Sequence, residues 1–207
     1  SQLTNKNAKL QDRLNNSAGL GKIFNGLRAK RIQSNNNRIE GYKAAKNEIN
    51  VLRTSTQMYS VIASDEYSKR IDDFTTNVTA ATRFNSKTST VELVVPKGSS
   101  FVGLLAHELK HAYQFEMGEF SFNGSGGFPF YDITDEYEAY DRGTLFGQSS
   151  PAREIINRDY SNLQKNECSV NSCFTEEQKQ ATTFNASLTN LAKRYKTIFR
   201  YQGVTYK

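Results

Sequence analysis

The chain has 207 residues, 37% of them hydrophobic, with 27 basic and 21 acidic side chains for a net charge of +6. That length suits one domain with a real core and is short for two. The polar, Asn/Lys-rich opening predicts neither a signal peptide nor a membrane span, so an export signal would lie outside this fragment. The positive excess reads as a solvated basic face, because "RAKR" at Arg28 to Arg31 is its only dense block and no nucleic-acid-binding motif accompanies it.

Residues 1–37 read as a helical or irregular extension: weak helical periodicity runs from Leu3 to Arg31, and "SNNN" at Ser34 to Asn37 predicts a break. From Arg38 to about Ser60, Ile39, Tyr42, Ile49, Leu52 and Met58 recur at helical intervals, predicting a helix. A short second helix is expected over Asp65 to Asp73. The period then changes: "TAATRF" and "STVELVV" flank a polar turn at Asn85 to Lys87, the pattern of a β-hairpin. Val91, Leu93 and Val95 share one face of its second strand, and Pro96 and Gly98 end it. Ser99 or Ser100 can cap a helix running to about Met117, closed by Gly118.

"GEFSFNGSGGFPFYD" follows as an aromatic, glycine-rich loop, and "ITDEYEAYDRGTLFG" has helical spacing ending near Gly143 or Gly147. In the tail, "TEEQ" matches a capping box of Thr175 with Gln178, opening a further helix, and "TIFRYQGVTYK" reads as a closing strand. Cys168 and Cys173 lack the partners of a four-ligand zinc site; a small disulfide loop and two free thiols are both compatible with their spacing. The whole reads as a single α+β domain over residues 1–207, mainly helical, with a small antiparallel sheet beside the helix that ends at Met117.

That helix contains the only two histidines, His107 and His111, in "LLAHELKHAYQFE". Residues four apart share a helix face, so both imidazoles can aim one nitrogen at a common ion. Glu108 is rotated to the edge of that face, where it can reach a water beside the ion without binding the ion itself. A catalytic zinc usually takes three protein ligands. With no histidine left, the third must be a carboxylate, and "DITDEYEAYDRG" offers Asp132, Asp135, Glu136, Glu138 and Asp141. At about 100° per residue, Ile133, Tyr137, Tyr140 and Thr144 form one stripe; Glu136 lies about 60° from its centre and Glu138 about 140° away. Glu136 thus faces the protein, while Glu138 faces water, within reach of Arg142. Asp135, Glu138 and Asp141 remain alternatives, since a shift of the helix boundary reorders them.

"HELKH", followed 25 residues after its second histidine by "EYEAYDRG", resembles the gluzincin group of zinc metallopeptidases. The fuller pattern from Val91 to Gly147, strand, motif helix, glycine-rich loop and "DEYEAY", is similar to metallopeptidase toxin domains at the carboxyl ends of Rhs-type and other secreted bacterial effectors. The resemblance implies a zincin-like fold, Zn2+ held by His107, His111 and Glu136, and Glu108 as general base. It further implies a protein or peptide substrate, secretion or delivery into a target cell, and an immunity protein as partner. Gluzincins often carry an Asp four residues after the ligand glutamate; here that position is Tyr140, with Asp141 one further on. No oxyanion-stabilising residue is matched, although Tyr131, Tyr137, Tyr140 and Arg142 are near in sequence.

The expected reaction is peptide-bond hydrolysis, in which Glu108 takes a proton from the attacking water and passes it to the leaving amine. The strand from Val91 to Val95 is either an edge that pairs with extended substrate or a core element. The loop from Phe120 to Tyr131, with Phe122, Phe128 and Phe130, is either an apolar wall or lid, or simply packs. Two other functions fit the residues: a basic module binding nucleic acid or an anionic surface, with a non-catalytic histidine pair, and a zinc amidase acting on a non-protein amide.

Overall fold

A computed structural model of the chain describes residues 2–17, 19–64, 80–97, 101–124, 129–130, 132–161, 170 and 174–207. These form two compact units, Ser1–Asn47 and Glu48–Lys207. The expected helix at Asp65 to Asp73, the caps at Ser99 or Ser100, the stop at Gly98, loop residues Phe128 and Tyr131, and both cysteines lie outside the described residues.

The first unit contains α1 (Gln2–Asn15), a 3-10 turn (Gly19–Phe24) and most of α2 (Asn25–Thr54). Helix α2 runs unbroken through Ser34 to Asn37, where a break was expected. Asparagine ends helices when its side chain bonds to its own backbone. Here Asn35 donates to Asn7 Oδ1 at 2.7 Å and Asn36 accepts from Asn7 Nδ2 at 2.6 Å, so those amides serve the α1–α2 contact instead.

In the second unit α2 stops at Thr54 and β1 (Met58–Ala63) begins, so the helix expected to reach Ser60 is shorter. β1 pairs in parallel with β3 (Thr90–Val95), from Met58 opposite Thr90 to Ala63 opposite Val95, and that remote partner decides its conformation. β2 (Ala81–Asn85) pairs antiparallel with β3, as the hairpin pattern predicts. The turn is held by Asn85 Oδ1, which accepts from the backbone N–H of Lys87 at 3.1 Å. The strand order is β1-β3-β2, so this sheet is mixed rather than antiparallel. β3 is its buried central strand, so Val91 to Val95 form a core element and not a substrate-pairing edge.

Helix α3 (Phe101–Met117) packs on this sheet and is followed by β4 (Ser121–Asn123), β5 (Pro129–Phe130) and α4 (Ile133–Leu145). After α5 (Arg153–Asp159), the expected Thr175–Gln178 capping box opens α6 (Glu176–Lys179), and a separate α7 (Phe184–Tyr195) follows. The closing segment is a hairpin and not one strand: β6 (Thr197–Tyr201) and β7 (Val204–Tyr206) turn at Gln202 and Gly203, both at positive φ. It joins an antiparallel sheet of order β5-β4-β6-β7.

The chain thus mixes helix and sheet in an α+β arrangement, with α3 between the two sheets. Phe115 of α3 packs with Phe84 and Val91 of one sheet and with Phe120, Phe122 and Ile198 on the other side. Phe120 and Phe122 are therefore core residues, not lid residues. Among the described residues no helix is long and apolar enough to cross a membrane. Helix α4 lies along α3, and two glycines let the chain after α4 tuck between them. A Cβ on Gly103 would lie 2.6 Å from the backbone nitrogen of Gln148, and one on Gly143 would overlap the Gln148 side chain.

Behind the site, the C-terminal end of α3 is anchored by a buried ion pair. Arg200 of β6 is 2% exposed and its guanidinium lies 2.5 Å from Glu116. Ser55 donates to the same carboxylate at 2.9 Å, the Tyr59 hydroxyl donates to it as well, and Arg200 donates to Ser55, Thr56 and Thr205. A buried charge pair persists only when its remaining hydrogen-bonding capacity is met in this way.

Candidate metal centre

The histidines on α3 project from one face, as their spacing requires, and α4 brings Glu136 against them. His107 Nε2 and His111 Nε2 are 3.2 Å apart. Glu136 Oε2 lies 3.5 Å from His107 Nε2, and its Oε1 lies 3.5 Å from His111 Nε2. All three residues are buried. The other candidate carboxylates are committed elsewhere. Asp132 caps α4, and Asp135 completes the capping box, its Oδ2 accepting from the Asp132 N–H at 3.0 Å. Glu138 is half exposed and pairs with Lys110 at 2.9 Å, rather than with Arg142, which pairs with Glu48. Asp141 is exposed and pairs with Arg153 at 3.4 Å.

The donor set can be tested against a metal. Zinc–nitrogen and zinc–oxygen bonds of about 2.0–2.1 Å at tetrahedral angles place neighbouring donors about 3.3 Å apart. The two imidazole nitrogens, 3.2 Å apart, meet that spacing; Glu136 turns a different oxygen toward each of them at 3.5 Å, and one donor atom from each of the three residues lies within 4.8 Å of the others. Glu136 Oε2 is buried and has no hydrogen-bond partner among the described residues. Such atoms are costly to bury unless something satisfies them. Two imidazoles and one carboxylate are the donor chemistry of a zinc site with an open position.

The electrostatics favour a cation at the same point. Burial acts to raise the pKa of Glu136, but the imidazoles of His107 and His111 overcome it and hold the carboxyl well below the usual range. Burial acts to lower that of His111, but Glu136 and Glu108 push it up to about 9. The His111 shift says that the carboxylates around it stabilise positive charge, and the Glu136 shift says that its carboxylate stays ionised to supply it.

Glu108 is 3% exposed and stands off the ligand triangle. Its Oε2 accepts a 2.7 Å hydrogen bond from Thr82 of β2, the outer strand on that side of the sheet. Burial raises its pKa against the attraction of both imidazoles and the Thr82 hydroxyl, which suits a carboxylate that must take up a proton. Tyr140, at the position where gluzincins often have Asp, packs its ring edge-on against His107 with centroids 4.7 Å apart. Its hydroxyl lies 3.4 Å from that of Tyr160.

Two neighbours escaped the sequence reading. Thr82 lies on a strand whose proximity to Glu108 depends on the packing of α3 on the sheet, so no local pattern marks it. Gln114 Oε1 lies 2.8 Å from His111 Nδ1, and its place three residues after His111, on the same helix face, was a signal available in the sequence. Comparison with protein-family models, with curated proteins and with solved structures finds no match to this chain.

Proposed function

We propose that the chain is a zinc-dependent metallopeptidase of the gluzincin kind, with a zincin-like catalytic unit. The observation that carries this reading is the buried convergence of His107, His111 and Glu136, whose donor atoms lie within 4.8 Å of one another, close enough to share one ion. When bound, zinc supplies Lewis acidity, which makes water a usable nucleophile near neutral pH and withdraws electrons from a carbonyl oxygen. The two imidazoles and Glu136 hold it. Glu108 takes a proton from the attacking water and returns it to the leaving amine, while Thr82 fixes the orientation of the carboxylate. Among the described residues β2 pairs on one side only, with β3, so its other edge can align an extended peptide beside Glu108.

The resemblance to effector toxin domains extends the proposal to a secreted or delivered domain acting on a protein substrate and neutralised by an immunity protein. The test is Glu108→Gln. The variant retains zinc and loses cleavage of a protein substrate; a variant that cleaves as well as wild type removes Glu108 from the mechanism. Parallel assay of peptidoglycan amides separates protein cleavage from amidase action.

A further inference from the structure

We infer that Gln114 is the positioning residue of this centre, setting the His111 ring with Nε2 toward the ion and tying the ligand-bearing turn of α3 to that of α4. The inference rests on the metal reading above and adds to it what orients the ligands. Gln114 is fully buried, and its amide nitrogen lies 3.1 Å from the Asp135 carbonyl oxygen and 3.3 Å from Glu138 Oε2. A peptide carbonyl and an ionised carboxylate only accept, so the amide nitrogen must face them. The amide oxygen then faces His111 Nδ1 at 2.8 Å. An oxygen of that kind cannot donate, so Nδ1 carries a hydrogen and Nε2, which faces His107 and Glu136, is the nitrogen left to bind an ion. One side chain therefore reads the backbone of Asp135, the neighbour of ligand Glu136, and passes that orientation to His111.

This explains how the site manages without an aspartate at position 140. Tyr140 there packs on His107, and the orienting group for the other histidine comes from the ligand helix itself. It also explains why the residue is an amide. A carboxylate at 114 would hold the ring but would set a second negative charge against Glu138, 3.3 Å away, and would offer nothing to the Asp135 carbonyl.

The experiment uses the whole chain loaded with zinc. Zinc affinity is measured by competition with a chelating dye for wild type and Gln114→Met, with circular dichroism and melting to confirm the fold. The His111 imidazole N–H is followed by NMR in both. The expected result is a folded variant whose zinc affinity is weaker by about 10–100-fold, and a wild-type His111 bound through Nε2 with a slowly exchanging Nδ1–H that exchanges rapidly in the variant. Unchanged affinity in Gln114→Met, or a wild-type His111 bound through Nδ1, overturns the inference while leaving the metal centre intact. Should Gln114→Met not fold, the wild-type spectrum alone decides. A wild type that takes up no zinc overturns the functional reading and this one with it.

Discussion

Replacing Thr82 with Val keeps the shape of the side chain and deletes one hydroxyl. That hydroxyl is the donor of a 2.7 Å hydrogen bond to Glu108 Oε2 in a site where Thr82 is 4% and Glu108 3% exposed, so water does not replace it readily. A hydrogen bond to a charged group contributes about 1.5–3 kcal/mol, and each ~1.4 kcal/mol is tenfold in rate, so turnover should fall about ten- to a hundredfold. Zinc content should not change, because Thr82 touches no member of the triangle. The pH profile adds a second, signed readout. Burial raises the Glu108 pKa, and the Thr82 hydrogen bond is among the influences that lower it, so its loss moves the pKa further up. A general base works ionised, so activity is lost as pH falls through that pKa, and the acid limb of kcat in the variant moves to higher pH. Steady-state peptide cleavage across pH, with metal analysis of the same samples, measures all three quantities. Wild-type turnover with an unmoved acid limb would refute the reasoning, and so would a variant that had lost its zinc.

The ion pair behind α3 predicts a stability effect. Arg200→Met leaves the Glu116 carboxylate, 9% exposed, without its counter-charge and should destabilise the protein by about 3–5 kcal/mol in urea unfolding; a loss below about 1 kcal/mol would show that the network is not needed. On the surface side of α4, Glu138→Gln removes a half-exposed partner of Lys110, and its folding stability should change by no more than about 1 kcal/mol. Its zinc content should match wild type, and zinc loss would make Glu138 a ligand after all.

How much of this was legible in the sequence depended on how local the cause was. Helix α4 shows its helical spacing in the sequence, but the face it buries is Asp135, Glu136, Ala139 and Gly143, not the stripe of Ile133, Tyr137, Tyr140 and Thr144 from which Glu136 was placed; that stripe is only part-buried, and Thr144 is exposed. The α3 histidines and the β2–β3 hairpin were readable, since a four-residue spacing and a two-residue alternation are properties of neighbours. β1 was not. Met58 continued the helical series of α2, and nothing near it reveals that its hydrogen bonds go to Thr90 and the residues beyond. The same blindness made β3 a candidate edge, because strand order is a property of the sheet and not of the strand. Ser34 to Asn37 misled for a related reason: the amides that suggest a break are engaged across the helix pair by Asn7. Arg200 looked like any other cation of a strand until burial beside Glu116 set it apart.

Metal analysis of the protein purified without chelators, beside Glu136→Ala, bears most directly on the claim that three side chains from α3 and α4 converge on one ion. Roughly one zinc per chain in the wild type and none in a folded Glu136→Ala variant is the predicted outcome. A wild type without bound metal, or a variant that retains it, would contradict the account.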